Sequence, residues 1–288
     1  MASNPGGEDL IQTAPDAPER KKPTLIRVKA LLFFVLLFSV QMTAAISPAE
    51  EAEQERLSGE LSVAAMSRYI DRGQELSRNS VVLQPSFTLC YKGFSANIWG
   101  SWDSNPYLEG EDHWYETDYT LSYEGEYGFL TYGLGYMYYD MDNCDDSQEI
   151  YLMLGLNTLL APTLTVYREV DRGLYWYFVL SLSHAFPLSE KLSLELCASA
   201  AYLSSDDAEE YPEVDGSGSE TGREYENFHD GTVTVGLPYT AADNITITPT
   251  LSYTFPLCRD ARHEMKYFSM TGKDDTFVYG GVVFAYRF

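Results

Sequence analysis

The stretch Asn244–Phe255, NITITPTLSYTF, alternates two kinds of side chain over its whole length. Its odd-numbered positions, such as Ile245 and Leu251, are apolar or aromatic, and its even-numbered positions after Asn244 are all Thr or Ser. A period of two predicts a β-strand with one apolar and one hydroxylated face. Because a soluble β-sandwich could contain one such strand, the number of repeats and the lengths of the connections decide the class of fold.

The same alternation recurs in most of the chain after residue 60. Residues 191–202, for example, place Leu194 and Leu196 on one face and Ser193 and Glu195 on the other. We predict about twelve strands, most of which match the roughly 9–11 residues that a tilted strand needs to cross a bilayer. The predicted strands are 61–70, 80–91, 94–102, 114–124, 129–139, 147–157, 163–169, 174–184, 191–202, 231–239, 244–255 and 277–288.

The connections between these strands alternate in length. Outer-membrane barrels have short periplasmic turns and longer external loops, so the pattern predicts an all-β fold, a closed antiparallel up-and-down barrel that spans the outer membrane of a Gram-negative cell. Residues 171–173 must then form a very short external hairpin, after a strand that carries Arg168 and Glu169. If this pair of strands is misassigned, the barrel has ten strands. The short turns are expected near 91–93, 124–128, 187–191 and 240–244, and the longer loops at 103–113, 140–146, 203–230 and 256–276.

The C-terminal stretch 277–288, FVYGGVVFAYRF, has the pattern of an outer-membrane assembly signal, with an aromatic last residue and apolar alternate positions. The residues that carry this pattern are Val282, Phe284, Tyr286 and Phe288. Closure by this strand is physically reasonable, because lipid cannot satisfy the hydrogen-bonding groups of an open sheet edge. The expected partners are therefore the barrel-assembly machinery, outer-membrane lipid and lipopolysaccharide.

The first 45 residues have the layout of an export signal after a polar extension. Basic residues lie between Arg20 and Lys29, the apolar run ALLFFVLLFSV covers 30–40, and small residues precede a cleavage site that we place after Ala45. We predict an acidic periplasmic lead-in at 46–60 and the barrel at 61–288. A chain exported in this way is expected in the outer membrane.

Charge and cysteine spacing limit the functions open to the chain. The formal net charge of -24 disfavours nucleic acid as a partner, because phosphate binding needs clustered Lys and Arg. None of the four cysteines forms a Cys-x-x-Cys pair, so no zinc site is expected, and we predict no metal or cofactor. Cys144 and Cys258 fall in predicted loops and could form a disulfide, whereas Cys90 and Cys197 fall in strands.

Three short stretches resemble the TorF-type porin family of outer-membrane proteins. Ser67–Gly73, SRYIDRG, is similar to that family's opening strand with its Tyr-x-x-Arg-Gly pattern; Gly93–Asp103, GFSANIWGSWD, and the ETDY sequence at 116–119 extend the likeness. The resemblance implies a porin but supplies no solute and no catalytic residue. The acidic insert at 203–230 departs from the family.

Charged residues among the small polar side chains of the predicted lumen suggest a channel for small solutes that prefers cations, because rings of carboxylates favour cations. We expect the carboxylates at 116, 118, 149 and 195 to face two arginines, and internal salt bridges are the alternative for these charges. A second reading is a non-conducting structural or adhesive barrel with carboxylate-rich loops. The residues expected to line the pore are Arg68, Glu116, Asp118, Glu149, Glu195 and Arg287.

A membrane-embedded lipid-modifying enzyme is the third reading, and the histidines disfavour it. Hydrolysis of this kind needs a nucleophile and a histidine on one surface. His184 follows Ser183 directly, and adjacent strand residues point to opposite faces. His113, His229 and His263 fall in predicted loops. We therefore expect no enzymatic activity, and the sequence indicates neither the solute nor the oligomeric state.

Overall fold

The computed structural model describes residues 56–78, 80–106, 113–142, 145–172 and 174–288. Twelve long antiparallel strands, each hydrogen-bonded to the next, form the body of the protein. They are β1 (Ser58–Met66), β2 (Val82–Tyr91), β3 (Phe94–Asp103), β4 (Trp114–Tyr127), β5 (Leu130–Met141), β6 (Ser147–Leu156), β7 (Thr163–Glu169), β8 (Tyr175–Pro187), β9 (Ser193–Ser205), β10 (Glu226–Gly236), β11 (Ile245–Pro256) and β12 (Phe277–Arg287).

The sheet closes on itself because β1 pairs with both β2 and β12. The pairing of β1 with β12 runs from Glu60 opposite Arg287 to Met66 opposite Gly281. A short additional strand, Tyr239–Ala242, pairs with the start of β11. The predicted closed antiparallel barrel of about twelve strands is confirmed.

The ten-strand alternative is wrong, because β7 pairs with both of its neighbours. Its last residue, Glu169, explains how so short a connection can form: the carboxylate accepts hydrogen bonds from the backbone N–H groups of Asp171, Arg172 and Leu174, at 2.9–3.0 Å. Arg168 lies on the opposite face and contacts Asp206 at 2.7 Å. Glu169 therefore stabilises the turn, and Arg168 stabilises the end of the barrel wall beside it.

Each strand presents mainly apolar side chains outward, whereas its inward side chains are small and polar near the short turns and larger toward the long loops. The outward face is exposed over the whole circumference, with Leu251 57% and Leu121 63% accessible. Such a surface is expected to contact lipid, because a water-facing wall of this size would be an extended apolar patch. Among the residues that the structure describes, no helix is long and apolar enough to cross a membrane.

Introducing a charge on the two faces of β11 should have opposite consequences. Leu251→Arg is expected to lower the free energy of unfolding by about 2–4 kcal/mol, because a cation in the middle of the lipid-facing wall is poorly solvated. The neighbouring Thr250→Arg points inward, between Gly236 and Gly281, and should cost much less. Urea unfolding of the refolded barrel in lipid vesicles measures both, and equal losses would contradict the assignment of faces.

Several boundaries differ from the sequence prediction. β1 begins at Ser58, inside the predicted lead-in, and ends at Met66 rather than at residue 70. β10 begins at Glu226 rather than at 231, so the predicted loop 203–230 is shorter and contains a small hairpin of Pro212–Val214 with Glu220–Glu224. The signal peptide, lead-in residues 46–55 and Cys144, with its suggested disulfide, lie outside the described residues.

The predicted loop 256–276 contains a helix, α1 (Arg259–Phe268). Cys258 caps its N-terminus, where Sγ accepts a hydrogen bond from the N–H of Ala261 at 3.4 Å. The helix buries Ala261, Glu264 and Met265, which lie on one face at helical spacing. The sequence predicts only a loop at this position, because just these few residues show the 3.6-residue period of a helix.

Candidate functional site

Residues 67–77 after β1 form a lumen hairpin that folds into the barrel. Its short strands, Ile70–Asp71 and Gln74–Glu75, pair with each other. Tyr69 donates a hydrogen bond from its hydroxyl to the inward carboxylate of Glu116 on β4, at 2.9 Å. A Cβ placed on Gly73 would lie 3.0 Å from Cβ of Asp230 on β10. Because β4 and β10 lie on different sides of the closed wall, the hairpin crosses the lumen.

The tip of the hairpin is a two-residue turn, Arg72-Gly73. Both residues have positive φ, 44° and 78°, as a type I′ turn requires. Glycine suits the second position for two reasons. It adopts a positive φ without strain, and a Cβ there would approach Cε of Met265 to 2.8 Å. The turn presents the side chain of Arg72 to the wall of β5–β8.

Arg72 occupies a site built by inward side chains of that wall. Its Nη1 and Nη2 donate to Oε1 and Oε2 of Glu149, both at 2.6 Å, in the parallel geometry that a guanidinium forms with a carboxylate. Nη1 also donates to the hydroxyl of Tyr175 at 2.5 Å. Tyr139 and Tyr175 each donate a hydrogen bond from the hydroxyl to Glu149 at 2.8 Å. The carboxylate of Glu149 is fully buried, so these contacts replace its hydration.

Aromatic rings surround the same guanidinium. Its carbon lies 5.2 Å from the ring centroid of Tyr167, 5.5 Å from that of Tyr175 and 4.8 Å from that of Tyr177. These distances are within the range of cation–π attraction. The carboxylate, the phenol hydroxyls and the ring faces together make what we call the guanidinium site, formed by Tyr139, Glu149, Tyr167, Tyr175 and Tyr177.

A second buried cluster fastens helix α1 to the wall. His229 contacts Asp230 through Nδ1 at 2.9 Å and Glu264 of the helix through Nε2. Tyr177 donates its hydroxyl proton to Asp230 at 2.6 Å, and Gln74 of the lumen hairpin donates to Glu264 at 2.9 Å. The cluster therefore joins the wall, the helix and the hairpin.

A β-bulge places two consecutive residues of β10 on the inner face. The register with β9 shifts so that His229 and Asp230 together lie between the pairs Ala200–Gly231 and Tyr202–Phe228. An extra residue in one strand turns both side chains to the same side. The prediction of a loop at His229 is wrong, because the alternation fails at the bulge within β10.

A third cluster contains two of the predicted pore-lining residues. Glu116 and Asp118 are inward on β4, 4% and 7% exposed, and neither forms an ion pair with a described residue. Oδ1 of Asp118 has no hydrogen-bond partner within the described ranges. The ring of Tyr69 lies 5.6 Å from the ring of Trp99. Trp99 is on β3, directly opposite Asp118 of β4.

The structure separates the remaining predicted pore-lining residues. Glu149 lies in the same half of the barrel as Glu116 and Asp118 but is paired with Arg72, whereas Glu195 is inward and exposed near the short-turn end. Arg68 belongs to the lumen hairpin, not to a strand, and pairs with Glu75 at 2.6 Å.

At the opposite end of the barrel, Arg287 pairs with Glu60 at 2.8 Å. This ion pair lies at the short-turn rim, and 73% of the Arg287 side chain is exposed. Neither predicted arginine faces the carboxylates of β4. Arg72, which reaches the wall of β5–β8, belongs to the Tyr-x-x-Arg-Gly pattern, where its neighbour Gly73 is the available turn signal.

Val282, Phe284 and Tyr286 of the assembly pattern lie on the outward face of β12, and Phe288 directly follows the strand. Val282 is half-buried, and Phe284, Tyr286 and Phe288 are exposed. The ring of Phe288 stacks on that of Phe87 at 6.5 Å. Their recognition by assembly machinery stays a prediction.

The half of the lumen near the short turns is lined by small polar side chains, most of them hydroxylated. They bond to each other across strands, as in Ser95 with Ser122 at 2.6 Å and Thr234 with Ser252 at 2.9 Å. Their partial exposure shows that the barrel interior is not filled at this level. The inward members of this lining include Ser86, Thr88, Asn97, Thr120, Ser122, Ser199, Thr232, Thr234, Thr246 and Thr250.

Comparison with known proteins supports the fold. No family model and no curated protein sequence matches the chain. A solved structure of the NanC porin is similar with a TM-score of 0.50 and 9% identity, over 78% of this chain and 98% of that one. LpxR from Salmonella typhimurium matches with a TM-score of 0.45 and 10% identity, over 80% and 99%, and OmpT of Vibrio cholerae with 0.38 and 9%, over 81% and 97%. With its closed barrel and apolar outer wall, the protein is an outer-membrane β-barrel.

Proposed function

We propose that the protein is a channel for passive passage of small solutes, a porin of the TorF type. The observation that carries this proposal is the hydroxylated lumen of the short-turn half. A barrel of twelve strands is wider than the eight-stranded barrels that side chains can fill, and Ser and Thr are too small to close it. The proposal includes no catalytic step, and Ser183 and His184 occupy opposite faces of β8.

The charges of the lumen support a preference for cations. Arg68, Arg72 and Arg287 each have a carboxylate partner. Carboxylates without such a partner among the described residues include Glu195, which is inward and exposed to the lumen. A lumen with surplus negative charge attracts cations and repels anions.

The alternative is a non-conducting structural barrel, and the lumen hairpin favours it. The hairpin and helix α1 occupy the half of the barrel near the long loops and are tied to the wall by three buried clusters. In a channel, this region is the constriction through which solutes pass. In a structural barrel, it is a permanent seal.

Conductance separates these two functions. The refolded chain from residue 46 to 288 is expected to give discrete current steps in a planar lipid bilayer, with a cation-to-anion permeability ratio above one. The variant Glu195→Gln should bring that ratio toward one, because it removes an exposed inward carboxylate from the lumen. The exposed loop variant Glu209→Gln is the control and should leave the ratio unchanged.

Folded insertion without current steps would overturn the channel proposal and leave the structural barrel. Current steps with a ratio that Glu195→Gln does not change would keep the channel but reject Glu195 as the source of selectivity.

A further inference from the structure

The guanidinium site is complete without the lumen hairpin, apart from the guanidinium itself. Glu149, Tyr139 and Tyr175 supply its polar atoms, and all three belong to the barrel wall. The hydroxyls of both tyrosines hold the carboxylate of Glu149 by hydrogen bonds of 2.8 Å. The wall therefore supplies two of the contacts that orient the carboxylate, and these two do not involve Arg72.

We propose that this wall is a binding site for guanidinium-bearing solutes and that Arg72 is its tethered occupant. The site offers two parallel carboxylate oxygens 2.6 Å from Nη1 and Nη2, a phenol oxygen and three ring faces. A planar fork satisfies all of these contacts at once, whereas a compact ammonium satisfies only part of them. The solute class is therefore guanidinium cations, such as free arginine or arginine side chains of short peptides.

Exchange of the occupant does not require the hairpin to leave the lumen. The body of the hairpin is held elsewhere, since Tyr69 bonds to Glu116 and Glu75 accepts from Thr271 at 2.7 Å. Rotation of the Arg72 side chain away from Glu149 would free the site while the hairpin stays in the lumen. A tethered group competes at an effective concentration in the millimolar range or above, so a free solute must reach similar concentrations to displace it.

The role of this site in transport rests on the proposed channel, because the site then determines which class of solute the constriction selects. Binding itself does not require conduction. Calorimetric titration of the refolded Arg72→Ala variant with methylguanidinium is therefore the first test, with methylammonium as a probe of equal charge. We expect saturable binding of methylguanidinium, at least about tenfold tighter than that of methylammonium and than its binding to the wild-type protein.

The double variant Arg72→Ala, Glu149→Gln should lose this binding. Equal affinity for the two probes, or binding that survives in the double variant, would overturn the proposal. Arg72→Lys provides a second route if the alanine variant does not fold: lysine keeps the charge but is a weaker occupant, so methylguanidinium should raise its midpoint of thermal unfolding more than that of the wild type. An equal shift in both proteins would also count against the site.

Conductance then separates the site from the channel. Free arginine is expected to interrupt the wild-type current more often than lysine at the same concentration. Methylguanidinium binding to Arg72→Ala without any wild-type current would refute the channel and retain the site. Wild-type current with no preference for guanidinium in either assay would retain the channel and refute the site.

Discussion

Arg72→Met is expected to lower the free energy of unfolding of the barrel by about 3–5 kcal/mol, because it leaves the fully buried carboxylate of Glu149 without its counter-charge. The hydroxyls of Tyr139 and Tyr175 would remain, but two neutral donors do not replace a bidentate guanidinium. Urea unfolding in lipid vesicles, followed by tryptophan fluorescence, measures the loss.

Two controls make this prediction specific. Arg223→Met removes a surface arginine that pairs with Glu213 and is 71% exposed, so its effect should be small. The double variant Arg72→Met, Glu149→Met removes both charges and should recover much of the loss, since a buried pair replaced by apolar side chains is often close to neutral. If Arg72→Met destabilises the barrel no more than Arg223→Met does, Glu149 does not depend on Arg72 for its burial.

The barrel could be predicted from the sequence because every wall strand follows the same local alternation of apolar and polar residues. The alternation in residues 244–255 recurs in each wall strand, and β7 is predicted to the residue, from Thr163 to Glu169. Lipid outside and water inside impose that period on every strand that spans the membrane. Errors at the ends of strands, as at Met66, change neither the number of strands nor their order.

The lumen contents could not be read in the same way, because they depend on contacts between residues far apart in the chain. Arg72 and Glu149 are 77 positions apart, and His229 and Glu264 are 35 apart. In the sequence, Tyr69 continues the apolar alternation of β1, so the predicted strand runs to residue 70, past the end of β1 at Met66. A positive φ at Arg72 is tolerable only with the support of the guanidinium site and of the pairing between Asp71 and Gln74.

The bulge in β10 shows the same limit. One extra residue turns both His229 and Asp230 inward, and such a shift looks in the sequence like the end of a strand. The sequence therefore located the charges of the lumen on the correct face of each strand, as for Glu149, but not the partners that neutralise them, such as Arg72. The partners lie on segments outside the wall strands, such as the lumen hairpin and helix α1. The alternation within a strand does not indicate where those segments fold.

Glu264→Leu should release helix α1 from the wall. Glu264 and His229 are both fully buried, and removing the carboxylate leaves His229 with only Asp230 as an acidic partner and Gln74 without one of its acceptors. We expect a loss of about 3–5 kcal/mol in the free energy that holds the helix in place. Because about 1.4 kcal/mol corresponds to a factor of ten, the helix should open at least about a hundredfold more often.

Limited trypsin digestion of the protein in lipid vesicles measures this opening. Arg259, Arg262 and Lys266 lie on the exposed face of the helix, and cleavage there needs local unfolding, so its rate follows the population of the open form. Glu220→Leu removes an exposed partner of Tyr267 on the same helix and should change the rate little. Equal digestion of both variants would mean that packing of Ala261 and Met265, not the buried carboxylate, holds the helix in the barrel.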